Sequence, residues 1–117
     1  MTRRVLVVED EQLVADLVGD ALDLEGHEAR CVTGEHALEE ALQFHPDLVL
    51  LDLMMPIVDG FEVARRLRGR SETRDIPIVV MTAMHDASAR AAEIGTPYVL
   101  AKPFDIAELL NIVEHVT

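Results

Sequence analysis

The chain has 117 residues, half of them hydrophobic, and a formal net charge of −12. This length suits one domain with its own core, and the hydrophobic content excludes a disordered chain. The negative charge argues against nonspecific binding to nucleic acid or to an anionic membrane, and no apolar run reaches the roughly 18 residues of a membrane helix. We therefore expect a single domain over 1–117 that is soluble and cytoplasmic.

The first half of the chain alternates between apolar runs and amphipathic stretches. Thr33 is placed to cap the second helix, and Gly26 marks the end of the first. The predicted elements are a strand over 4–8, a helix over 12–24, a strand over 29–32, a helix from Thr33 to about Phe44 and a strand over 48–51. The residues expected on the buried face of the first helix are Leu13, Leu17, Ala21 and Leu24.

The second half continues the same alternation, with a turn signal at Asp59-Gly60 and a final helix that Asp105 caps. The predicted elements are a loop over 56–60, a helix over 61–68, a strand over 78–81, a short helix over 86–94, a strand over 98–100 and a helix over 106–116. Regular alternation of strands and helices predicts a doubly wound parallel sheet with helices on both faces. Ligands of such folds bind at the carboxyl ends of the strands.

Polar residues follow four of the predicted strands. A carboxylate at the end of an inner apolar strand, such as Asp52, is costly to bury without a partner. Lys102 is the only lysine of the chain and is a candidate partner for Asp52. The polar residues at the strand ends are Glu9, Asp10 and Glu11 after the first strand, Asp52 after the third, Thr82 after the fourth and Lys102 after the fifth.

Carboxylates gathered at one edge of a sheet repel one another, by about 3 kcal/mol for a pair ~5 Å apart at an effective dielectric of ~20. A hard divalent cation removes this repulsion, and carboxylates, carbonyls and water are the ligands of Mg²⁺. Thr82 and Lys102 would then hold phosphoryl oxygens, by a hydroxyl donor and by a point charge. This set of groups indicates phosphoryl transfer with an Asp carboxylate as the nucleophile.

Four segments in this order resemble the receiver domains of bacterial two-component response regulators. The resemblance covers essentially the whole chain and implies a flavodoxin-like, five-stranded sheet in the order 2-1-3-4-5. It also implies that Asp52 accepts a phosphoryl group from a histidine kinase or a phosphotransfer protein. The segments that carry it are Val7–Glu11, Asp52–Pro56 with Asp59-Gly60, Met81–Ala83 and Ala101–Phe104.

The resemblance also implies a magnesium site. Asp10, Asp52 and the backbone carbonyl of Met54 would bind Mg²⁺ directly, and Glu9 would act through a water molecule. Thr82 matches the hydroxyl that takes part in switching. Lys102 matches the lysine that contacts the phosphate, and its bond to Pro103 is expected to be cis.

Two departures from the family pattern concern switching. Val99 stands where family members usually have an aromatic residue, and Tyr98, one position earlier, would face the other side of the sheet. The segment 82–95 is about two residues shorter than is common, which predicts a short fourth helix. Met54 and Met84 are bulky and cannot orient water, so we expect slow self-catalysed loss of the phosphoryl group.

The expected role is therefore that of a signalling switch and not of an enzyme. The switch would act by contact with a downstream protein or with a missing output domain. The sequence leaves open whether the chain stands alone or was cut from a larger regulator, and it leaves the oligomeric state open. Two alternatives are a degenerate receiver that acts as an interaction module and a Mg²⁺-dependent phosphohydrolase of the haloacid dehalogenase type. The second would need an acid two residues after Asp52, where Met54 stands.

We expect no functional role for the cysteine or for the histidines. Cys31 lies in a predicted strand and is expected to be a buried, inert thiol. The histidines show no spacing typical of metal ligands and are all expected at the surface; they are His27, His36, His45, His85 and His115.

Overall fold

Residues 2–117, which the computed structural model describes, form five strands and five α-helices in alternation. The strands are β1 (Arg4–Val8), β2 (Glu28–Val32), β3 (Leu48–Asp52), β4 (Ile78–Thr82) and β5 (Val99–Ala101). The helices are α1 (Gln12–Leu24), α2 (Ala37–Phe44), α3 (Gly60–Arg68), α4 (Ala87–Ile94) and α5 (Ile106–Val116), with a 3₁₀ turn, Gly34–His36, before α2. All predicted elements are present within one or two residues of their expected ends, apart from the start of α2.

The five strands form one parallel sheet in the order β2-β1-β3-β4-β5. This flavodoxin-like order confirms the predicted fold class. Every residue of β3 and β4 is buried, because helices cover both faces of these inner strands. None of the helices within 2–117 has the length and apolar character needed to cross a membrane.

Alternate strand residues belong to two separate cores, as the period of two in a strand requires. Val5, Val7 and Leu50 pack with α1 and α5 on one face of the sheet. Leu6 and Leu51 pack with α2, α3 and α4 on the other face. We refer to these faces as the α1/α5 face and the α2–α4 face.

The α1 helix has the predicted bounds, but the face chosen from the sequence was wrong. Leu13, Leu17 and Leu24 are 79%, 54% and 88% exposed, and of the four predicted core residues only Ala21 is buried. The helix carries apolar residues on two neighbouring stripes, so periodicity alone could not select between them. The stripe that packs on the sheet consists of Ala15, Val18, Ala21 and Leu22.

One predicted helix cap and one predicted turn differ from the structure. Thr33 precedes the 3₁₀ turn and its side chain does not cap a helix. The Asp59-Gly60 turn signal is the start of α3, where the Asp59 side chain accepts a hydrogen bond from Glu62 N at 2.9 Å. Asp105 caps α5 as predicted, accepting from Glu108 N at 2.8 Å.

Two further side chains are not where the sequence placed them. Cys31 is exposed rather than buried, because its strand β2 is at the edge of the sheet. His27 is 5% exposed rather than at the surface. Its Nδ1 accepts a hydrogen bond from Arg3 N at 3.1 Å, and its Nε2 lies 3.5 Å from a carboxylate oxygen of Glu114. A neighbouring backbone donor and a carboxylate therefore compensate the burial of the imidazole.

Gly60 should tolerate no side chain. A Cβ atom at this position would collide with the backbone carbonyl of Asp52 and would lie 2.6 Å from Leu53 Cα. We expect Gly60→Ala to lower the free energy of unfolding by about 1–3 kcal/mol, because backbone cannot yield as a flexible side chain can. Urea denaturation measures the change.

Gly19→Ala is the matched control, since its Cβ would make an ordinary 3.5 Å contact with Cys31 Sγ. Alanine inside a helix should raise the free energy of unfolding by about 0.5–1 kcal/mol. Equal effects of the two substitutions would contradict the close approach at Gly60.

Candidate functional site

Strand register brings the predicted site residues to one edge of the sheet. Val8 pairs with Leu51, so that Glu9 and Asp52, the next residues of their chains, come side by side. On the other side of β3, Asp52 pairs with Met81. Thr82 in turn pairs with Ala101, which places Lys102 one residue beyond it. The acids, the hydroxyl and the ammonium therefore meet at the carboxyl ends of the strands, as the sequence predicted.

Three of these side chains meet on the α1/α5 face. Glu9, Asp52 and Lys102 each follow by two positions a residue of that core: Val7, Leu50 and Leu100. Since strand side chains alternate between faces, the three side chains converge instead of pointing to opposite sides.

Lys102 is bound more closely to Glu9 than to its predicted partner Asp52. Its Nζ donates a hydrogen bond to Glu9 Oε1 at 2.8 Å and lies 3.5 Å from Asp52 Oδ2. The side chains of Glu9 and Asp52 are 1% and 6% exposed. That Glu9 competes for the ammonium could not be predicted from the sequence, because it depends on how far the Lys102 side chain reaches across β4 and β3.

Backbone N–H groups hold the two buried carboxylates in orientation. Met54 N donates to Asp52 Oδ1 at 3.1 Å, and Glu11 N donates to Glu9 Oε2 at 3.3 Å. Each carboxylate thus has one oxygen on a backbone donor and the other close to Lys102. This arrangement fixes the plane of the Asp52 carboxylate relative to the strand end.

The electrostatics of the pair are asymmetric. Burial, followed by the hydrogen bond and the negative charge of Glu9, raises the pKa of Asp52 to about 7, although Met54 N–H and Lys102 oppose the shift. Burial also acts to raise the pKa of Glu9, but its hydrogen bonds with Asp52 and Lys102 hold it below its ordinary value. Burial disfavours the Lys102 ammonium, yet its contacts with both acids raise its pKa. The carboxyl pair therefore binds a proton near neutral pH through Asp52.

The acid cluster fits a divalent cation. Glu9, Asp10 and Asp52 offer one carboxylate oxygen each within 4.8 Å of one another. Three carboxylates face the single ammonium of Lys102, an excess of negative charge that a cation would neutralise. Glu9 and Asp52 are buried while Asp10 is exposed, so the cluster opens to solvent on one side. The role of the Met54 carbonyl stays a prediction.

The hydroxyl of Thr82 lies at the same sheet edge. Thr82 is buried, and its Oγ1 accepts a hydrogen bond from Met84 N at 3.1 Å. Its carbonyl accepts from Lys102 N at 2.8 Å, which ties the ends of β4 and β5 together. The Lys102-Pro103 bond is cis, as expected.

Val99 and its neighbour Tyr98 face opposite sides of the sheet, as predicted. Val99 packs on the α2–α4 face and Tyr98 on the α1/α5 face. The Tyr98 ring contacts the His115 ring edge-on, with centroids 6.4 Å apart. The α4 helix has eight residues, in agreement with the predicted short helix.

Gly60 is a site residue that the sequence analysis did not single out. It begins α3 after the loop that follows Asp52, and its N–H donates to the Leu53 carbonyl at 3.1 Å. The Asp59-Gly60 pair was the available signal, but it was interpreted as a turn. The close approach of α3 to the Asp52 backbone depends on this glycine.

Comparison with known proteins places this arrangement in a family. A model of the response regulator receiver domain matches residues 5–114. The polar-differentiation response regulator DivK of Brucella ovis is 33% identical over 117 residues, which is 97% of this chain and 95% of DivK. The DNA-binding dual master transcriptional regulator RpaA of Synechocystis sp. is 38% identical over 110 residues. This match covers 92% of the chain but only 46% of RpaA, so the chain spans about half the length of that relative.

Solved structures agree with the sequence comparison. The chemotaxis protein CheY4 of Vibrio cholerae matches with a TM-score of 0.92 and 27% identity, over 100% of both chains. The receiver domain of the sensor histidine kinase PA1611 from Pseudomonas aeruginosa matches with a TM-score of 0.88 and 28% identity, over 98% of this chain and 97% of that one. The PA1611 structure has a magnesium ion coordinated in its active site cleft.

The raised pKa of Asp52 predicts a pH-dependent stability of the metal-free protein. With a folded pKa of about 7 and an ordinary value near 3.9 in the unfolded chain, the folded state binds more protons between about pH 4 and 7. The contribution of Asp52 to the free energy of unfolding is therefore present below this window and lost as pH rises through it.

Asp52→Asn removes this titration, so its stability relative to wild type should rise from pH 5 to pH 8 by about 1–3 kcal/mol. Urea denaturation in EDTA at both pH values measures the difference. A difference that does not change with pH would show that burial of Asp52 does not disfavour its charge.

Proposed function

Because the chain belongs to the response regulator receiver domain family, we propose that it is a signalling switch that accepts a phosphoryl group on Asp52. The observation that carries this proposal is the buried Asp52 carboxylate beside Lys102, in a cluster with Glu9 and Asp10. A buried acid that is oriented by a backbone donor and lies near a single ammonium suits a nucleophile for phosphoryl transfer.

In this reaction an Asp52 oxygen attacks the phosphorus of a phosphohistidine on a kinase or phosphotransfer protein. The bond from phosphorus to the histidine nitrogen breaks, its electron pair stays on the imidazole, and an aspartyl phosphate forms. The Met54 N–H fixes the orientation of the carboxylate during the attack. Lys102 lies between Glu9 and Asp52 and is in position to exchange a carboxylate contact for a phosphoryl oxygen.

Asp10, Asp52 and the Met54 carbonyl would hold Mg²⁺ directly, with Glu9 acting through water. When bound, the cation neutralises the charge that carboxylates and phosphoryl oxygens share. The donor set supports this assignment, since the carboxylate oxygens of the cluster lie within 4.8 Å of one another. The magnesium ion of the PA1611 receiver domain supports it by analogy.

The phosphodonor and the output target are both proteins in this proposal. Leu13 and Leu17 are exposed near the start of α1, which follows the acid cluster in the chain, and they give a protein partner an apolar surface to contact. The output passes through a downstream protein or through a further domain of a longer regulator. A degenerate receiver would act by contact alone, without phosphorylation.

Incubation with acetyl phosphate and Mg²⁺, followed by intact-mass measurement, tests the function. We expect an increment of one phosphoryl group, because the small donor presents the same reacting group without a docking surface. The increment should be lost in Asp52→Asn and in excess EDTA. The control Asp75→Asn alters an exposed aspartate outside the site and should keep the increment.

An unmodified wild-type mass under all conditions would contradict the proposal and favour the degenerate interaction module. Steady release of inorganic phosphate over many turnovers, without a lasting increment, would favour the phosphohydrolase alternative.

We further propose that the phosphoryl group is lost slowly. The backbone N–H groups of Met54 and Met84 contact Asp52 and Thr82, so both side chains start next to the reacting groups. Met54 is 65% exposed and Met84 is half-buried. A thioether neither orients nor deprotonates the water that must attack the phosphorus.

Polar side chains at these positions should speed the decay of the phosphorylated protein. We expect Met54→Asn or Met84→Glu to raise the hydrolysis rate about ten-fold, because each would position water for attack. Intact mass over time in Mg²⁺ measures the decay. Ile57→Asn, which alters a 78% exposed residue of the same loop, is the control and should leave the rate unchanged. If neither methionine variant decays faster than this control, the methionines do not limit hydrolysis.

A further inference from the structure

Three α-helices of this chain are preceded by an aspartate, and one of the three aspartates does not cap its helix. Asp59 and Asp105 accept hydrogen bonds from the third residue of their helices, α3 and α5. Asp86 stands at the same position before α4, but its side chain makes no cap hydrogen bond. Of these three helices, α4 is the one without such a cap, and the loop that leads into it begins at Thr82.

The backbone of Asp86 explains the missing cap. Asp59 and Asp105 have ψ angles of 170° and 169°, the extended conformation of a helix-capping residue. Asp86 has φ −102° and ψ 36° instead. Its carbonyl still accepts from Arg90 N at 3.1 Å, as that of a capping residue does. A change of ψ at Asp86 would therefore leave the helix in place and redirect the chain that enters it.

The Asp86 carboxylate forms an ion pair with Arg90, but this contact does not give the guanidinium a well-formed hydrogen bond. Asp86 Oδ2 lies 3.0 Å from Arg90 Nε, yet this Nε is buried and has no partner with hydrogen-bond geometry. Arg90 keeps a second acid, Glu93, at 3.1 Å from its Nη1. If Asp86 moved away, the Arg90 guanidinium would therefore still be paired with an acid.

The loop before Asp86 is held at its start by the hydroxyl of Thr82. Thr82 Oγ1 accepts a hydrogen bond from Met84 N at 3.1 Å, and residues 83–85 then lead directly into Asp86. This contact holds the start of the loop that leads to Asp86, and in this structure the ψ angle of Asp86 is not that of a capping residue. A group that draws the Thr82 hydroxyl towards Asp52 would release Met84.

We propose that α4 carries a capping switch: when Thr82 turns to the phosphoryl group on Asp52 and releases Met84 N, Asp86 swings to an extended ψ and caps α4 through Ala89 N. The inference rests on the proposed phosphorylation of Asp52. Through this switch, phosphorylation of Asp52 would change the structure of α4 even though Val99 stands where the family usually has an aromatic residue. The output of the switch is the order of the first turn of α4.

The α4 helix is suited to such control because little else holds its start. Its buried residues are Ala87 and Ala91, small side chains that bury little apolar area. By contrast, α5 has Leu109 and Val113 in the core as well as its cap. One added cap hydrogen bond is therefore a larger share of what stabilises α4.

The first test needs no phosphorylation. In the unphosphorylated protein, Asp86→Ala should shift the urea midpoint by less than a third of the shift caused by Asp105→Ala. The second substitution removes a cap that exists, whereas the first removes none. A loss of stability in Asp86→Ala as large as in Asp105→Ala would overturn the proposal, because Asp86 would then already support the helix.

The second test follows hydrogen exchange at the Ala89 amide by NMR, with beryllofluoride and Mg²⁺ as the phosphoryl mimic. Exchange should slow about five-fold in wild type on addition of the mimic. It should stay unchanged in Asp86→Ala and slow again in Asp86→Asn, since asparagine caps as well as aspartate but lacks the charge for Arg90.

Intact mass after acetyl phosphate treatment distinguishes failure of the proposed phosphorylation from failure of the capping switch alone. No mass increment in wild type would overturn the proposed function and the switch with it. An increment together with unchanged Ala89 exchange, or with equal slowing in Asp86→Ala, would overturn the switch alone.

Discussion

One ammonium group shared between two buried carboxylates is the interaction on which this structure depends. Glu9 and Asp52 are almost fully removed from water, and Lys102 contacts both. Two carboxylates cannot both remain charged in such a place without compensation, so the pair raises the pKa of Asp52 to about 7. A bound proton and a divalent cation are two ways to balance these charges.

This constraint ties together elements that are distant in the sequence. Glu9 and Lys102 are 93 residues apart, at the ends of β1 and β5, and their 2.8 Å contact passes over the end of β3. In the order 2-1-3-4-5 the strands β3 and β4 lie between β1 and β5, so the Lys102 side chain reaches across the end of the sheet to Glu9. Gly60 contributes from below, since a side chain there would push on the Asp52 carbonyl. The site is therefore a property of the whole sheet edge.

The two helices whose starts flank the site are held by different kinds of contact. Asp59 caps α3 just after the loop that follows Asp52, so the start of α3 is held by a side-chain cap. On the opposite side the Thr82 hydroxyl holds the loop, and Asp86 is paired with Arg90 in place of capping α4. A change in the contacts of Thr82 would then be transmitted to α4 more readily than to α3.

The sequence by itself determined the strand and helix alternation, the strand ends and the chemical types that meet there. Apolar runs and their spacing are local signals, and parallel strands must bring their carboxyl ends to one edge, so Glu9, Asp52, Thr82 and Lys102 could be grouped without coordinates. The doubly wound class followed from the same pattern. The strand order rested on the resemblance of four short segments to one family.

Tertiary structure decided which of several similar helix faces is buried and which of several possible partners a side chain contacts. Leu13, Leu17 and Leu24 form as good a stripe as Ala15, Val18 and Leu22, and only packing against the sheet selected the second. His27 is buried because Arg3 N and Glu114, remote in sequence, compensate its polar atoms. Lys102 has two acids within reach, and its side chain extends across the ends of β4 and β3 to donate its hydrogen bond to Glu9. Asp86 has the same residue type and position as two aspartates that cap helices, but its backbone angles in the folded chain are not those of a capping residue. The local sequence pattern indicates which side chains take part in the core and the site. Long-range packing selects the partner of each side chain, because several partners of similar local energy are available to it.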